Sequence, residues 1–147
     1  MSERVIVIYD STFGNTKIIA ETISGEFKTG TKPVHVSEIS VEALSDFDII
    51  IVGSPIIGWK PTEKTQLFLD SIKAGMLTGK KAATFDTRVK LFIHGDAAKK
   101  MAEKLKNAGA EIIIDPQPFY VKGKEGPLYD GEIDGVKSWV KKIIALL

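Results

Sequence analysis

Three short stretches of this 147-residue chain combine polar, glycine and aromatic residues in ways that suit ligand chemistry. The first is Asp10-Ser11-Thr12-Phe13-Gly14-Asn15-Thr16, where three hydroxyls, one amide and a glycine precede a helical pattern. A helix N-terminus offers unpaired N–H groups and partial positive charge, so the run reads as a phosphate cradle that needs no Lys or Arg. Capping by Ser11 or Thr12 is the plainer account, yet a cap uses only one hydroxyl. No Gly-Lys-Ser/Thr follows and G-x-G-x-x-G is missing, which excludes a nucleotide P-loop and a dinucleotide fingerprint. The second stretch is Gly53-Ser54-Pro55-Ile56-Ile57-Gly58-Trp59-Lys60-Pro61. Its isoleucines and tryptophan stand where water is expected, so they suit a planar aromatic ligand; a lid on the core is the alternative. The third is Phe85-Asp86-Thr87-Arg88, read as a loop. Asp86, Thr87 and Arg88 could meet the polar edge of a heterocycle, or Asp86 and Arg88 could form a surface pair.

These stretches need a scaffold, and the hydrophobic pattern supplies one. Val5–Tyr9 and Asp48–Val52 are strand-like runs dominated by β-branched residues. Lys81–Phe85 and Glu111–Ile114 are weaker versions, Pro33–Val36 alternates like an edge strand, and Pro118–Val121 is a candidate extension of the fifth strand. Strands apolar on both faces suit a parallel sheet covered by helices. Helical stripes fall at Ile19, Ile23 and Phe27, at Ala97, Met101, Leu105 and Ala108, and at Ile133, Val136, Val140, Ile143 and Leu147. Pro61-Thr62 opens another helix before Leu67, Phe68 and Ile72, and Val41–Ser45 suggests a short one. Five strands alternating with about five helices fold, through right-handed crossovers, into a three-layer α/β sandwich. Ligands then bind beyond the carboxyl ends of the strands, where all three stretches lie. The Pro- and Gly-rich segment from Asp115 to Gly131 reads as a long surface loop.

Composition narrows the function. The chain is 44% hydrophobic and 27% charged, the balance of one globular domain over residues 1–147. Lys and Arg total 20 against 19 for Asp and Glu, so no basic excess points to nucleic acid. Cysteine is absent, which excludes disulfide scaffolds, thiolate metal sites and Cys-nucleophile catalysis. No run is long enough for a membrane span, and a cytoplasmic location is expected. A hydrolase built on Ser11 or Ser54 with His94 lacks the G-x-S-x-G turn, and His94 and His35 read as ordinary loop and strand residues.

The run Ser11-Thr12-Phe13-Gly14-Asn15-Thr16 resembles the flavodoxin phosphate loop, and Gly53-Ser54-Pro55 with Gly58-Trp59 resembles the loop that covers the flavin ring. Gly79-Lys80-Lys81 and Glu103–Glu111 match the family's fourth strand and the helix after it, so the likeness spans essentially the whole chain. It implies a flavodoxin-like sandwich with a five-stranded parallel sheet of order 2-1-3-4-5 and helices on both faces, of the short-chain type. FMN is the implied cofactor, with Ser11, Thr12, Gly14, Asn15 and Thr16 at its phosphate and Phe13 in the same cofactor-binding loop. Ile57 and Trp59 are implied to pack on its ring, with Ser54, Pro55, Ile56 and Gly58 in the same cofactor-binding loop, and Asp86, Thr87 and Arg88 are implied at its pyrimidine edge. The Gly58–Trp59 peptide stands where the family has one that flips to bond the reduced flavin. Neither catalytic nor metal-binding residues are implied.

Three departures stand out. Phe13 replaces a hydroxyl residue, as in the flavodoxin-like modules of diiron flavoproteins; Lys60 stands where many flavodoxins are acidic; and the outer-face aromatic is missing, with Phe92 as a weak substitute. Lys60 and Arg88 would favour an anionic reduced flavin and make its potential less negative. The expected function is single-electron transfer between redox partner proteins by a monomer or weak dimer, away from nucleic acid and membranes. The alternatives are a small FMN-dependent NAD(P)H or quinone reductase, or a flavin-free interaction module. A phospho-receiver is rejected, because Gly53-Ser54-Pro55 stands where its acceptor aspartate belongs.

Overall fold

The computed structural model describes residues 3–27, 32–90 and 95–147. Six strands form one parallel sheet: β1 (Val5–Tyr9), β2 (Pro33–His35), β3 (Ile49–Pro55), β4 (Lys81–Val89), β5 (Glu111–Ile112) and β6 (Gln117–Val121). The order is β2-β1-β3-β4-β5, as the resemblance implies, with β6 also paired to β4. Thus the fifth position is shared by two short strands. β5 pairs with Lys81–Ala82 at the start of β4, and β6 pairs with Phe85–Val89 at its end. Pro118 has no N–H to donate, which an edge strand tolerates.

The β-branched runs are buried because each face of the sheet has its own helical cover. Val5, Val7 and Tyr9 face one layer with Ile49, Ile51 and Phe85, under α1 (Asn15–Phe27) and α4 (Glu132–Ala145). Ile6 and Ile8 face the other with Ile50, Val52 and Ala82, under α2 (Glu63–Asp70) and α3 (Ala97–Asn107). Period-two alternation along each strand produces both layers. Gly53 is required on the first face: a Cβ there would lie 2.0 Å from the Phe85 ring.

Several sequence expectations need correction. β4 runs on to Val89, so Asp86, Thr87 and Arg88 are strand residues rather than a loop. The 115–131 segment holds β6 and a hairpin tip rather than only loop. Val41–Asp46 is a 3-10 helix, and α2 ends before Ile72 although that side chain is buried. In α4, Trp139 fills the core between Val136 and Ile143, whereas Leu147 lies past the helix end and is exposed. No helix among the described residues is long and apolar enough to cross a membrane.

Candidate functional site

A cavity of about 320 Å³ opens at the carboxyl end of the sheet, within the size range of small-molecule sites. The β1–α1 loop forms one wall, with Ser11, Thr12, Phe13, Asn15 and Thr16 lining it. Ser11 Oγ accepts the Gly14 N–H at 3.0 Å and, more weakly, the Lys17 N–H at 3.4 Å. That hydroxyl therefore caps the helix. The N–H groups of Thr12, Phe13, Asn15 and Thr16 find no partner among the described residues. Four such donors beside the hydroxyls of Thr12 and Thr16 suit an anion's oxygens. Gly14 sets the turn from behind, with φ +91°, and does not itself line the cavity.

Beneath this wall lies an anchor that sequence patterns do not disclose. Asp10 is buried at the end of β1, and its Oδ1 accepts the Ser11 N–H at 2.8 Å. The same oxygen is 3.0 Å from His35 Nε2, and Oδ2 accepts the Thr62 hydroxyl at 2.6 Å. Thr62 caps α2 by accepting the Thr65 N–H, and its own N–H donates to Ser54 Oγ at 3.0 Å. Hence Ser54 is fully buried behind the second wall and does not line the cavity. Asp10 ties the two walls together. Thr62→Ala removes both the cap and the Asp10 contact, and is expected to lower unfolding free energy by about 1–2 kcal/mol. Thr62→Ser should recover most of that loss in a denaturant titration.

The second wall is Pro55, Ile56, Ile57, Gly58 and Trp59. Ile57 and Lys60 exchange backbone hydrogen bonds of 2.7 and 3.2 Å around a two-residue turn, with φ of 56° at Gly58 and 74° at Trp59. Such mirror-image turns demand positive φ at both central residues. A tryptophan held there is strained, a cost usually found at functional sites. The 95 segment packs against this turn so tightly that a Cβ on Gly95 would lie 2.2 Å from the Trp59 carbonyl oxygen. Ile57 and Trp59 remain about half exposed over the cavity.

At the base, the alternation of β4 separates its three candidates. Thr87 faces the first wall, its hydroxyl 2.9 Å from that of Thr16. Asp86 is fully buried and outside the lining. Its two oxygens accept Arg88 Nε at 2.8 Å and Arg88 Nη2 at 2.5 Å, and the second also accepts the Ala98 N–H at 2.9 Å. Burial pushes the Asp86 carboxyl above its ordinary range, against the opposing pull of Arg88 and the Ala98 amide. Arg88 lines the cavity but is also 3.1 Å from Asp96, the cap of α3. Two carboxylates offset its charge, so Lys60, exposed on the turn, is the cation left from the pair expected to tune a bound flavin.

Val89, Gly95, Val121 and Lys124 complete the lining, and sequence reasoning named none of them as site residues. Phe92 and His94 lie outside the described residues.

Known proteins share this fold. The profile described as "Flavodoxin domain" matches residues 6–115. A flavodoxin of Maridesulfovibrio salexigens is 30% identical over 144 residues, covering 91% of this chain and 92% of that protein. Oxidised flavodoxin 1 of Bacillus cereus superposes with a TM-score of 0.81 at 23% identity, covering 97% of this chain and 98% of that one. Rubredoxin:oxygen oxidoreductase of Desulfovibrio gigas gives a TM-score of 0.78 at 23% identity over 97% of this chain but only 35% of its own. Flavodoxin family proteins bind a flavin, typically FMN, and are electron carriers. With its sheet order, the profile match and a full-length relative in agreement, the chain belongs to the flavodoxin family.

Proposed function

We propose that this chain binds FMN in the cavity and carries single electrons between redox partner proteins in the cytoplasm. One observation supports this above others: unpaired amides and hydroxyls at the start of α1 share a single cavity with the apolar turn of Ile57 and Trp59. An anion at one end and a flat apolar body at the other describe a flavin phosphate ester. Ser11 holds the cradle in shape, while Thr12, Asn15 and Thr16 present donors to the phosphate. Ile57 and Trp59 exclude water from the ring, and Thr87 offers a hydroxyl near the base of the cavity. FMN, when bound, supplies the one-electron chemistry; the protein supplies orientation and local charge.

The direct test is to titrate FMN into the flavin-depleted chain by calorimetry and absorbance, then to follow reduction by dithionite and reoxidation by an electron acceptor. One FMN per chain with reversible cycling is the expected result; a chain that ignores FMN overturns the proposal. Rapid NADPH oxidation by the loaded chain alone would instead identify a reductase.

Trp59 gives a sharper check, because strain and binding pull in opposite directions there. Trp59→Gly removes a bulky side chain from a positive-φ position worth about 1–2 kcal/mol. Stability should therefore stay level or rise by up to ~1 kcal/mol after the entropic cost of glycine. FMN affinity should fall by about tenfold, in line with ~1.4 kcal/mol of lost aromatic contact. Equal losses of stability and affinity would mean that the turn is merely structural.

A further inference from the structure

Among the described residues, Lys124 and Arg88 are the two Lys or Arg side chains that line the cavity. Arg88 is committed to Asp86 and Asp96. Lys124 makes no ion pair with any described residue. Among the described residues, the one cation in this lining whose charge is not already offset is therefore on the segment after β6, which carries no recognised ligand motif.

The backbone fixes where that segment stands. Residues 120–129 form a hairpin: Lys122 N–H donates to the Pro127 carbonyl at 2.8 Å, and Tyr129 N–H to the Tyr120 carbonyl at 3.1 Å. Its tip is closed by the Gly126 N–H on the Gly123 carbonyl at 2.9 Å, with Lys124 inside that turn. The tip rests on the first wall. Asn15 Nδ2 donates to the Glu125 carbonyl at 3.2 Å. Gly126, at φ +98°, passes so near that a Cβ would meet Asn15 Oδ1 at 2.5 Å. Only glycine fits there, and the fit brings the hairpin against the helix start that bears the unpaired amides.

We propose that Lys124 is a specificity-determining residue, which makes the cavity prefer a phosphorylated flavin over the same flavin without phosphate. The inference rests on the flavin reading above and adds to it a role for this chain's own hairpin. Neutral donors hold a phosphate through short-range, charge-assisted hydrogen bonds, to which a full positive charge in the same cavity adds a direct coulombic attraction. The Lys124 ammonium, lining the same cavity, responds to the phosphate's charge and not to the uncharged ribityl hydroxyl of riboflavin. Because Lys124 is exposed, its effect should weaken as salt is raised.

The test compares FMN with riboflavin on the flavin-depleted full chain, at low and high ionic strength, for wild type, Lys124→Gln and Lys122→Gln. Lys122 is exposed on the same hairpin and does not line the cavity, so it controls for net charge. Lys124→Gln should weaken FMN binding by about tenfold at low salt and by less at high salt, while riboflavin binding is unchanged. Lys122→Gln should leave both within about twofold. Equal weakening of FMN and riboflavin would place Lys124 at the ring and overturn the proposal, as would no effect or an equal effect of Lys122→Gln. Gly126→Ala, with Lys124 intact, should reproduce the selective loss of FMN by displacing the tip; unchanged FMN affinity in that variant also counts against the proposal. A wild-type chain that binds neither flavin refutes the flavin reading itself. Binding of FMN without any dependence on Lys124 refutes only this inference.

Discussion

Asp86→Ala is expected to lower the unfolding free energy by about 3–5 kcal/mol, the usual cost of removing one partner from a buried ion pair. The side chain has no solvent exposure, and three donors converge on its two oxygens: two from Arg88 and one from the Ala98 amide. Alanine leaves the Ala98 N–H without its acceptor at the first turn of α3, and removes the fully buried counter-charge of Arg88. The burial of Asp86 is itself unfavourable, which is why its carboxyl is pushed upward; truncation nevertheless costs more, because Arg88 remains 7% exposed and charged. Asp86→Asn keeps one acceptor oxygen and should lose roughly half as much. Guanidinium titration of the three proteins decides the matter. A loss below about 1 kcal/mol for alanine would mean that Arg88 finds adequate compensation elsewhere.

The same pair shows what the sequence could and could not disclose. Three polar residues ending a moderately apolar run look like a loop, because ionisable groups are seldom found inside a sheet. Here they are tolerated because Asp86 and Arg88, two apart, project to one side and neutralise each other, while Thr87 turns to Thr16. That cancellation requires strand geometry, which the residue types alone do not announce. By contrast, β1 and β3 were legible because both faces are buried and the β-branched runs are unbroken. The Ser11–Thr16 and Ile57–Trp59 stretches, which line the cavity, stood out as candidates because hydroxyls at a helix start and bulky apolar groups off a strand end are locally out of place. Lys124 did not. The Ser11–Thr16 wall of the cavity is more than a hundred residues away along the chain, and the contact between Asn15 and Glu125 that brings the two together spans 110 positions.

Phe119 links that hairpin to the core, and Phe119→Ala is the second large effect expected, about 3–5 kcal/mol of lost stability. The ring is 2% exposed and packs edge-on against two others, 6.1 Å from Phe85 and 5.9 Å from Trp139. Each such aromatic contact adds about 0.5–1.5 kcal/mol to the burial itself. Phe119 is also the most buried residue of β6, an edge strand held to the sheet only through β4. Loosening β6 moves Val121 and Lys124, which line the cavity, and with them the tip that rests on Asn15. Phe119→Ala should therefore weaken FMN binding even under conditions where the chain stays folded, whereas Phe119→Leu, which keeps most of the volume, should cost less than about 1.5 kcal/mol and leave binding near wild type. Denaturant titration and flavin calorimetry on the same samples separate the two effects. Full FMN affinity in a folded Phe119→Ala chain would show that the hairpin keeps its position without its core anchor, and that Asn15 alone suffices to hold the tip.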